Sequence, residues 1–443
     1  MMKRNNCEAL VKRDKAVISP CSHLSYFPLV VASGQGARIR DIDGNEFIDF
    51  LSSASSLNLG STHPTVTETI RGQLDRFTQY IHAYTYNESS VDYAERLVSV
   101  YPGGIPAKVC FGNCGSDAND AAVKFARAWT GRTGIITFLN GYHGNTYGAM
   151  SLTACTPRMR EGMGPFLPDC HVFPFFGTDQ PDEVVEAQCV AQMETAFASW
   201  LPAKNVAAVI IEPVQGDGGL LPAHPIFMKK LYQLCRDNGI LFMSEEVQQG
   251  FWRTGKMFAI EHYGIVPDGI IMGKAVGGGL TLGAFMGRAE MMDCLPAPAH
   301  TFTLGANAIA CAAGAAAFDC YYDPAFQALL RDNIALLEKL AAELKSKHPD
   351  TVSFIRSLGF SMGIGVQKPD GTPDPEGTFK ILFRCYETGL IVISVAGNIL
   401  RIQPPLNIEP ALLEQGFAIL DRAMADYEAG RIGDEVLAYK AGW

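Results

Sequence analysis

The sequence predicts an α/β protein: a large, mostly parallel sheet domain with helices on both faces, and a smaller α+β domain assembled from both chain ends. Three observations carry this. Short apolar strands alternate with amphipathic helices from Lys108 to about Met286, a hairpin pattern stands apart before that stretch, and strands and helices recur after it to the end. No repeat, low-complexity tract or Pro/Ser-rich linker interrupts the chain, so the two ends are expected to fold together. The boundaries fall at residues 1–60, 61–323 and 324–443, the middle segment being the large domain.

In chain order, ARIRDIDGNEFIDF (Ala37 to Phe50) alternates apolar and polar residues around Asp43-Gly44, the pattern of a hairpin. KVCFG at Lys108 precedes a helix expected from Asp117, and GIITF at Gly134, VAAVII at Val206, ILFMS at Ile240 and GIIMG at Gly269 read as further strands. Strands that are apolar throughout belong to a parallel sheet covered on both faces. Ala306 to Phe318 is rich in alanine and suits a tightly packed helix, and a long amphipathic helix follows over about Pro324 to Lys347.

Composition removes several classes of function. With 48% hydrophobic and 19% charged residues in 443, the chain is a well-buried globule rather than a fibrous or disordered one. The balance of 36 basic against 46 acidic residues, net −10, with no basic cluster, argues against nucleic acid as a partner. No apolar run approaches a membrane span, and MMKRNNCEALVKRDKAV runs from charges into more charges instead of a secretory signal. The 12 cysteines contain no CxxC pair, Cys110 and Cys114 being the nearest neighbours, which suits reduced thiols in a cytoplasm rather than disulfides or a zinc site.

Five strand-end segments carry chemistry. Lys274 follows GIIM and is flanked by Gly273, Ala275 and Gly277 to Gly279, so its amine is expected to be partly desolvated and suited to a Schiff base; the local alternative is a solvated lysine in a glycine turn. Gly115 and Ser116 stand at a strand-to-helix junction with Ser116 as the expected N-cap, an arrangement that binds phosphate in some proteins and nothing in many. In SEEVQQG, Glu245 and Glu246 stand beside Gln248, one expected to face a site and the other solvent, with Glu246 the ordinary acidic start of a loop. VIIEPVQGDGG delivers Glu212, Gln215 and Asp217 into a glycine turn, and Tyr142-His143 sits between Gly141 and Gly144, where an aromatic ring could stack on a flat cofactor. Together they point to one crevice along the carboxyl edge of a parallel sheet.

In this combination the sequence resembles the class III aminotransferases, pyridoxal-phosphate enzymes of fold type I, over essentially its whole length. The resemblance implies that Lys274 forms the Schiff base with pyridoxal 5'-phosphate and that Gly115 and Ser116 cradle its phosphate. It also implies that Tyr142 stacks on the pyridine, that Val247 packs on the other face, and that Gln248 lies near the phenolic oxygen. Glu245 stands where the family has the aspartate of DEVQ, which keeps the pyridine nitrogen protonated. Thr303 matches the threonine that reaches the neighbouring subunit's phosphate, implying a homodimer or a dimer of dimers, and Arg401 matches an arginine that binds the substrate α-carboxylate.

Departures from the family pattern are Glu245 for aspartate, Ala306-Asn307-Ala308 in place of GNP, and Gln215-Gly216-Asp217-Gly218-Gly219 where aminotransferases read QGEGG. The last, with LSSASS near the N-terminus, AGNILRIQPPL around Arg401 and the terminal Gly442-Trp443, resembles the amino-acid racemase subgroup, which includes isoleucine 2-epimerase and α-amino-ε-caprolactam racemase. The caprolactam enzyme has Glu in the segment holding Arg401, so Arg401 implies a free amino acid as substrate. Racemisation needs an acid/base group on each face of the α-carbon; Lys274 supplies one and Asp217 is the candidate for the other, unless it only shapes the turn. The expected function is a cytoplasmic racemase or epimerase of a neutral apolar amino acid. The rivals are an aminotransferase using 4-aminobutyrate or another ω-amino donor, and a catalytically silent ligand-binding relative, against which intact Lys274 speaks.

Overall fold

A computed structural model describes residues 2–440, so Gly442-Trp443 lies outside the described residues. The chain divides into two compact units, Pro64–Asp323 and a second made of Met1–His63 with Pro324–Trp443.

The first unit is built on a seven-stranded sheet in the order Ala107–Gly112, Gly283–Arg288, Gly269–Met272, Leu241–Glu245, Val206–Ile211, Gly134–Phe138, Cys170–Phe173. Gly283–Arg288 runs antiparallel to both neighbours, and the other adjacent pairs are parallel. All six side chains of Val206–Ile211 are buried, as a strand covered on both faces requires. The helix Gly115–Thr130 lays Ala118, Ala121, Ala122, Phe125 and Ala126, spaced three and four apart, onto Ile135, Ala208, Ile210, Met243 and Phe285 of the sheet.

That helix starts two residues before Asp117, and its N-cap is Cys114, so Ser116 is a helical residue of the first turn and not the cap. The reason is Asp117, whose carboxylate reaches back to accept the N–H groups of Asn113 at 2.6 Å and Cys114 at 3.1 Å. The strands Cys170–Phe173 and Gly283–Arg288 are additions to those read from the sequence.

Past Met272 the chain turns sharply through Lys274, whose φ of 50° is left-handed. A non-glycine residue there costs roughly 1–2 kcal/mol. The strain is held in place by the alanine-rich helix Ala308–Tyr321: a Cβ on Gly314 would lie 2.4 Å from the carbonyl oxygen of Val276, and one on Gly278 2.6 Å from that of Ala313. The lysine loop is thus seated backbone to backbone on the helix, and Tyr93 donates its hydroxyl to the Val276 carbonyl at 2.6 Å.

In the second unit the hairpin forms as expected, with Arg38–Asp41 antiparallel to Glu46–Asp49. Leu390–Ile391 adds in parallel to Glu46–Asp49, which joins the two chain ends in one sheet. An antiparallel sheet of Val352–Leu358, Ser361–Val366, Ile399–Ile402 and Ile393–Val395 completes it with the helices Pro324–Lys347, Pro375–Glu387 and Pro410–Glu428. Directly after the hairpin, Ser52, Ser53, Ala54 and Ser55 are all left-handed, with φ of 44°, 48°, 56° and 66°. Four successive non-glycine residues in this region cost roughly 1–2 kcal/mol each, so tertiary bonds must hold the turn. Among the described residues no helix is long and apolar enough to cross a membrane, and all 12 cysteines are free thiols.

Candidate active site

In the sheet unit, the parallel strands end on one edge, and the sequence-derived site residues of this unit are carried there or on the loops beyond. Val206–Ile211 delivers Glu212, which is 6% exposed and organises the edge. Its Oε1 accepts the N–H of Tyr142 at 2.9 Å and its Oε2 that of Gly216 at 3.1 Å, so one carboxylate ties the aromatic loop to the turn that bears Asp217. Asp217 is itself buried at 8% exposure. Gln215 holds the same turn from the other side by donating Nε2 to the Leu139 carbonyl at 2.7 Å.

Glu245 ends the strand Leu241–Glu245 at 3% exposure. Burial drives its carboxyl far up and the nearby Glu212 adds to this, while Lys274 pulls the other way. Glu212 is raised by burial too, against the two N–H bonds it accepts, with Asp217 raising and Lys274 lowering it. Burial pushes the Tyr142 phenol up, and the electrostatic neighbours that add to the shift are Asp217, Cys155, Glu245 and Cys114. Lys274, Asp217, Glu212, Glu245 and Tyr142 therefore share one small region.

Glu246 does not face solvent, contrary to the sequence expectation. It is fully buried and accepts the Ser244 hydroxyl and the N–H groups of Ala259 and Ile260, each at 2.9 Å, because the chain folds back over it. Burial raises its carboxyl to about 7. His143 is buried among the same loops and lowered to about 4 by burial, so its ring is neutral.

Asn119 is a residue the sequence reading missed. From the fifth position of the helix Gly115–Thr130 its Nδ2 donates to the carbonyls of Gly115 and His143 at 3.0 Å each, and lies 3.5 Å from Glu245 Oε1. Its spacing of four from Gly115 was the available signal. Ser116 accepts the N–H of Asn145 on its Oγ at 3.2 Å, and Thr303 is exposed, with its carbonyl 3.2 Å from Gln79 Nε2. Gln248 packs on Gly216, where a Cβ would fall 2.2 Å from its Oε1. Arg401, in the other unit, is 2% exposed on the strand Ile399–Ile402 and donates Nε to Gln403 Oε1 at 2.5 Å.

Two features test whether these residues suit pyridoxal phosphate. A carboxyl as buried as Glu245 is costly to ionise alone, and a protonated pyridine nitrogen is the cation that would stabilise its charged form. At the head of the helix Gly115–Thr130, whose first-turn N–H groups point away from the helical ladder, a Cβ on Gly115 would lie 2.7 Å from Val247 Cγ1. One on Gly273 would lie 2.9 Å from Gly115 Cα. Glycine backbone, Val247 and the lysine loop converge there without intervening side chains, and the residues fit the group.

The sequence profile of the family described as Aminotransferase class-III matches residues 21–424. The chain is 37% identical to the isoleucine 2-epimerase of Lentilactobacillus buchneri over 452 aligned positions, covering 100% of both. It is 36% identical to the leucine/methionine racemase of Thermococcus litoralis, over 98% of this chain and 99% of that one. The ornithine aminotransferase of Toxoplasma gondii, whose structure was reported with pyridoxal phosphate partly occupying its active site, superposes with a TM-score of 0.83 at 28% identity over 96% of each chain. This chain belongs to the class-III aminotransferase family and is a pyridoxal-phosphate enzyme.

Proposed function

We propose that the protein is an amino-acid racemase or epimerase acting on a free, neutral and apolar α-amino acid. The observation that carries this reading is the Asp217 turn: a buried carboxylate in QGDGG, tied through Glu212 to the Tyr142 loop and within electrostatic reach of the same groups as Lys274. The relatives named isoleucine 2-epimerase and leucine/methionine racemase support the substrate class.

In this reading pyridoxal phosphate, when bound, supplies an electron sink for the negative charge left on the α-carbon. Lys274 Nζ takes or returns the α-proton on one face and the Asp217 carboxylate does so on the other, so inversion needs both. With the cofactor bound, Glu245 would keep a proton on the pyridine nitrogen, Tyr142 and Val247 would pack against the ring, and Gln248 would serve the phenolic oxygen. Gly115 and Ser116 would hold the phosphate. Thr303 serves the phosphate of a second copy, which makes the enzyme a homodimer or a dimer of dimers, in the cytoplasm. Arg401 holds the substrate α-carboxylate, for which a planar guanidinium is suited.

Similarity to proteins named 4-aminobutyrate aminotransferase and ornithine aminotransferase favours a second reading, transfer of an amino group from 4-aminobutyrate or another ω-amino donor. One experiment separates them. The enzyme is incubated in heavy water with a single L-amino acid and no keto acid, and optical rotation and α-deuterium are followed. Loss of rotation with deuterium uptake supports racemisation; unchanged rotation, with turnover only after a keto acid is added, supports the aminotransferase.

A further inference from the structure

Within the sheet unit, Asn119 joins three segments assigned above to different parts of one flat cofactor. From the helix Gly115–Thr130 its Nδ2 donates to the Gly115 carbonyl one turn back and to the His143 carbonyl 24 positions on, each at 3.0 Å. The same nitrogen lies 3.5 Å from Glu245 Oε1. Asn119 is fully buried, and its Oδ1 has no hydrogen-bond partner. A buried amide oxygen left unpaired is costly, so what this residue contributes comes from its donor end. Flipping the amide would set that oxygen against two carbonyls and a carboxylate, so its orientation is chemically determined.

Each partner of the amide belongs to a segment that is fixed elsewhere as well. Gly115 is where the lysine loop closes on the helix, a Cβ on Gly273 falling 2.9 Å from its Cα. On the aromatic loop, Glu212 accepts the Tyr142 N–H at 2.9 Å and Thr153 Oγ1 accepts the His143 N–H at 3.0 Å, the Thr153 hydroxyl in turn donating to the Ala149 carbonyl at 3.0 Å. With Asn119 on the His143 carbonyl, the backbone beside the Tyr142 ring is pinned from both sides. Burial raises the Glu245 carboxyl, and the Asn119 donor works against that by favouring the charged form.

We propose that Asn119 is a positioning residue for pyridoxal phosphate: one amide sets the spacing among the Gly115 cradle, the Tyr142 loop and the Glu245 carboxylate. The proposal rests on the cofactor contacts given to those three residues above. Phosphate and pyridine nitrogen are carried by one rigid ring, so a site must hold its anion cradle and its carboxylate at a matching separation. Linking them before binding lowers the ordering cost of the complex. The two amide hydrogens serve the carbonyls at 3.0 Å while the carboxylate lies 3.5 Å away, so a shift of any one segment is felt by the other two.

The test titrates apoenzyme with pyridoxal phosphate and records the unfolding midpoint with and without cofactor, together with the visible absorbance band of the holoenzyme. Glu245→Gln is the benchmark. Asn119→Ser is the decisive variant: a helical serine still donates to the carbonyl four residues back, which keeps the Gly115 bond, but its hydroxyl is too short to serve His143 and Glu245. It should weaken cofactor affinity by about 10-fold or more, shrink the rise in midpoint that cofactor brings, and move the band in the same direction as Glu245→Gln. Asn119→Ala should do so at least as strongly. Combining Asn119→Ser with Glu245→Gln should weaken affinity by less than the product of the two single effects, because both act on one carboxylate. Were Asn119 merely structural, apo and holo midpoints would fall together with affinity and band unchanged; that result, or effects that simply multiply in the double variant, overturns the proposal. A Glu245→Gln enzyme with wild-type affinity and band removes the underlying pyridine contact, whereas a changed Glu245→Gln beside an unaffected Asn119→Ser removes this inference alone. If Asn119→Ala does not fold, Asn119→Ser and the double variant still decide it.

Discussion

Glu212 Oε1 accepts the backbone N–H of Tyr142 at 2.9 Å across 70 positions of sequence. With its other oxygen on Gly216, the carboxylate governs both the ring proposed to stack on the cofactor and the turn proposed to carry the second base. Glu212→Gln keeps one acceptor but points an NH2 group at one of the two N–H donors. Each such bond to a charged group is worth about 1.5–3 kcal/mol, so pyridoxal-phosphate affinity should weaken by about 10-fold or more. Titration of the apoenzyme with cofactor, followed by protein fluorescence, reads this directly, and wild-type affinity would contradict the clamp.

Lys274→Ala should still bind pyridoxal phosphate but without the visible absorbance band of the covalently held cofactor, and should lose turnover. Replacing a strained left-handed lysine by alanine keeps the backbone requirement, so the unfolding midpoint should shift little. A variant that keeps both band and activity would remove this lysine from the chemistry.

Glu245→Asp restores the family's usual residue and should retain much activity, the Asn119 amide moving from 3.5 Å to a longer contact. Glu245→Gln should cost about 3 kcal/mol in the activation barrier if it resembles loss of a catalytic electrostatic partner. Turnover numbers for the two variants check the assignment; equal rates for Gln and wild type would refute it.

Asp217→Asn preserves size and removes the proposed second base. Inversion should fall by about 10²-fold or more, the range for one acid/base group, while half-transamination through Lys274 survives. The two are read separately, by D-amino acid formation and by single-turnover spectra with an L-amino acid. Parallel loss of both would make Asp217 a residue that orients the substrate.

Glu246 gives the protein a measurable pH dependence. Its folded-state carboxyl is raised by burial from 4.5 to about 7, so the folded chain holds that proton more tightly than the unfolded one. Its contribution to stability is complete below the unfolded value and is lost as pH rises through about 7, a change on the order of 3 kcal/mol. The raised Glu212 and Glu245 carboxyls act with the same sign. The unfolding midpoint should decline from pH 5 to 8, and Glu246→Gln should flatten that slope in part. Parallel curves for the two proteins would show that Glu246 does not titrate in this window.

Much of this architecture is legible in the sequence where local signals agree. GIIM before Lys274, VAAVII before Glu212 and ILFMS before Glu245 are apolar runs closed by polar residues and glycine, so the strand ends and their cargo can be read together. The helix Pro324–Lys347 is legible at both ends because proline can open a helix and the apolar period is long. What escapes the sequence depends on distant partners. Glu246 is buried by Ala259 and Ile260, 13 and 14 positions away, and Asn119 meets a carboxylate 126 positions on. The helix begins early because Asp117 caps backwards, and no propensity scale places four left-handed residues in a serine run without glycine; Gln403, 348 positions from Ser55, holds them there.

The contact between the lysine loop and the alanine-rich helix bears on how such an enzyme could be re-engineered. Gly314 and Gly278 admit no Cβ without displacing the carbonyls of Val276 and Ala313, so a single added methyl on either side would shift the loop that carries Lys274. Random libraries that include these positions would spend most of their members on dead protein. New substrate preferences have to be sought in side chains that border the crevice without seating the loop, and the helix behind it functions as a fixed gauge against which those changes are made.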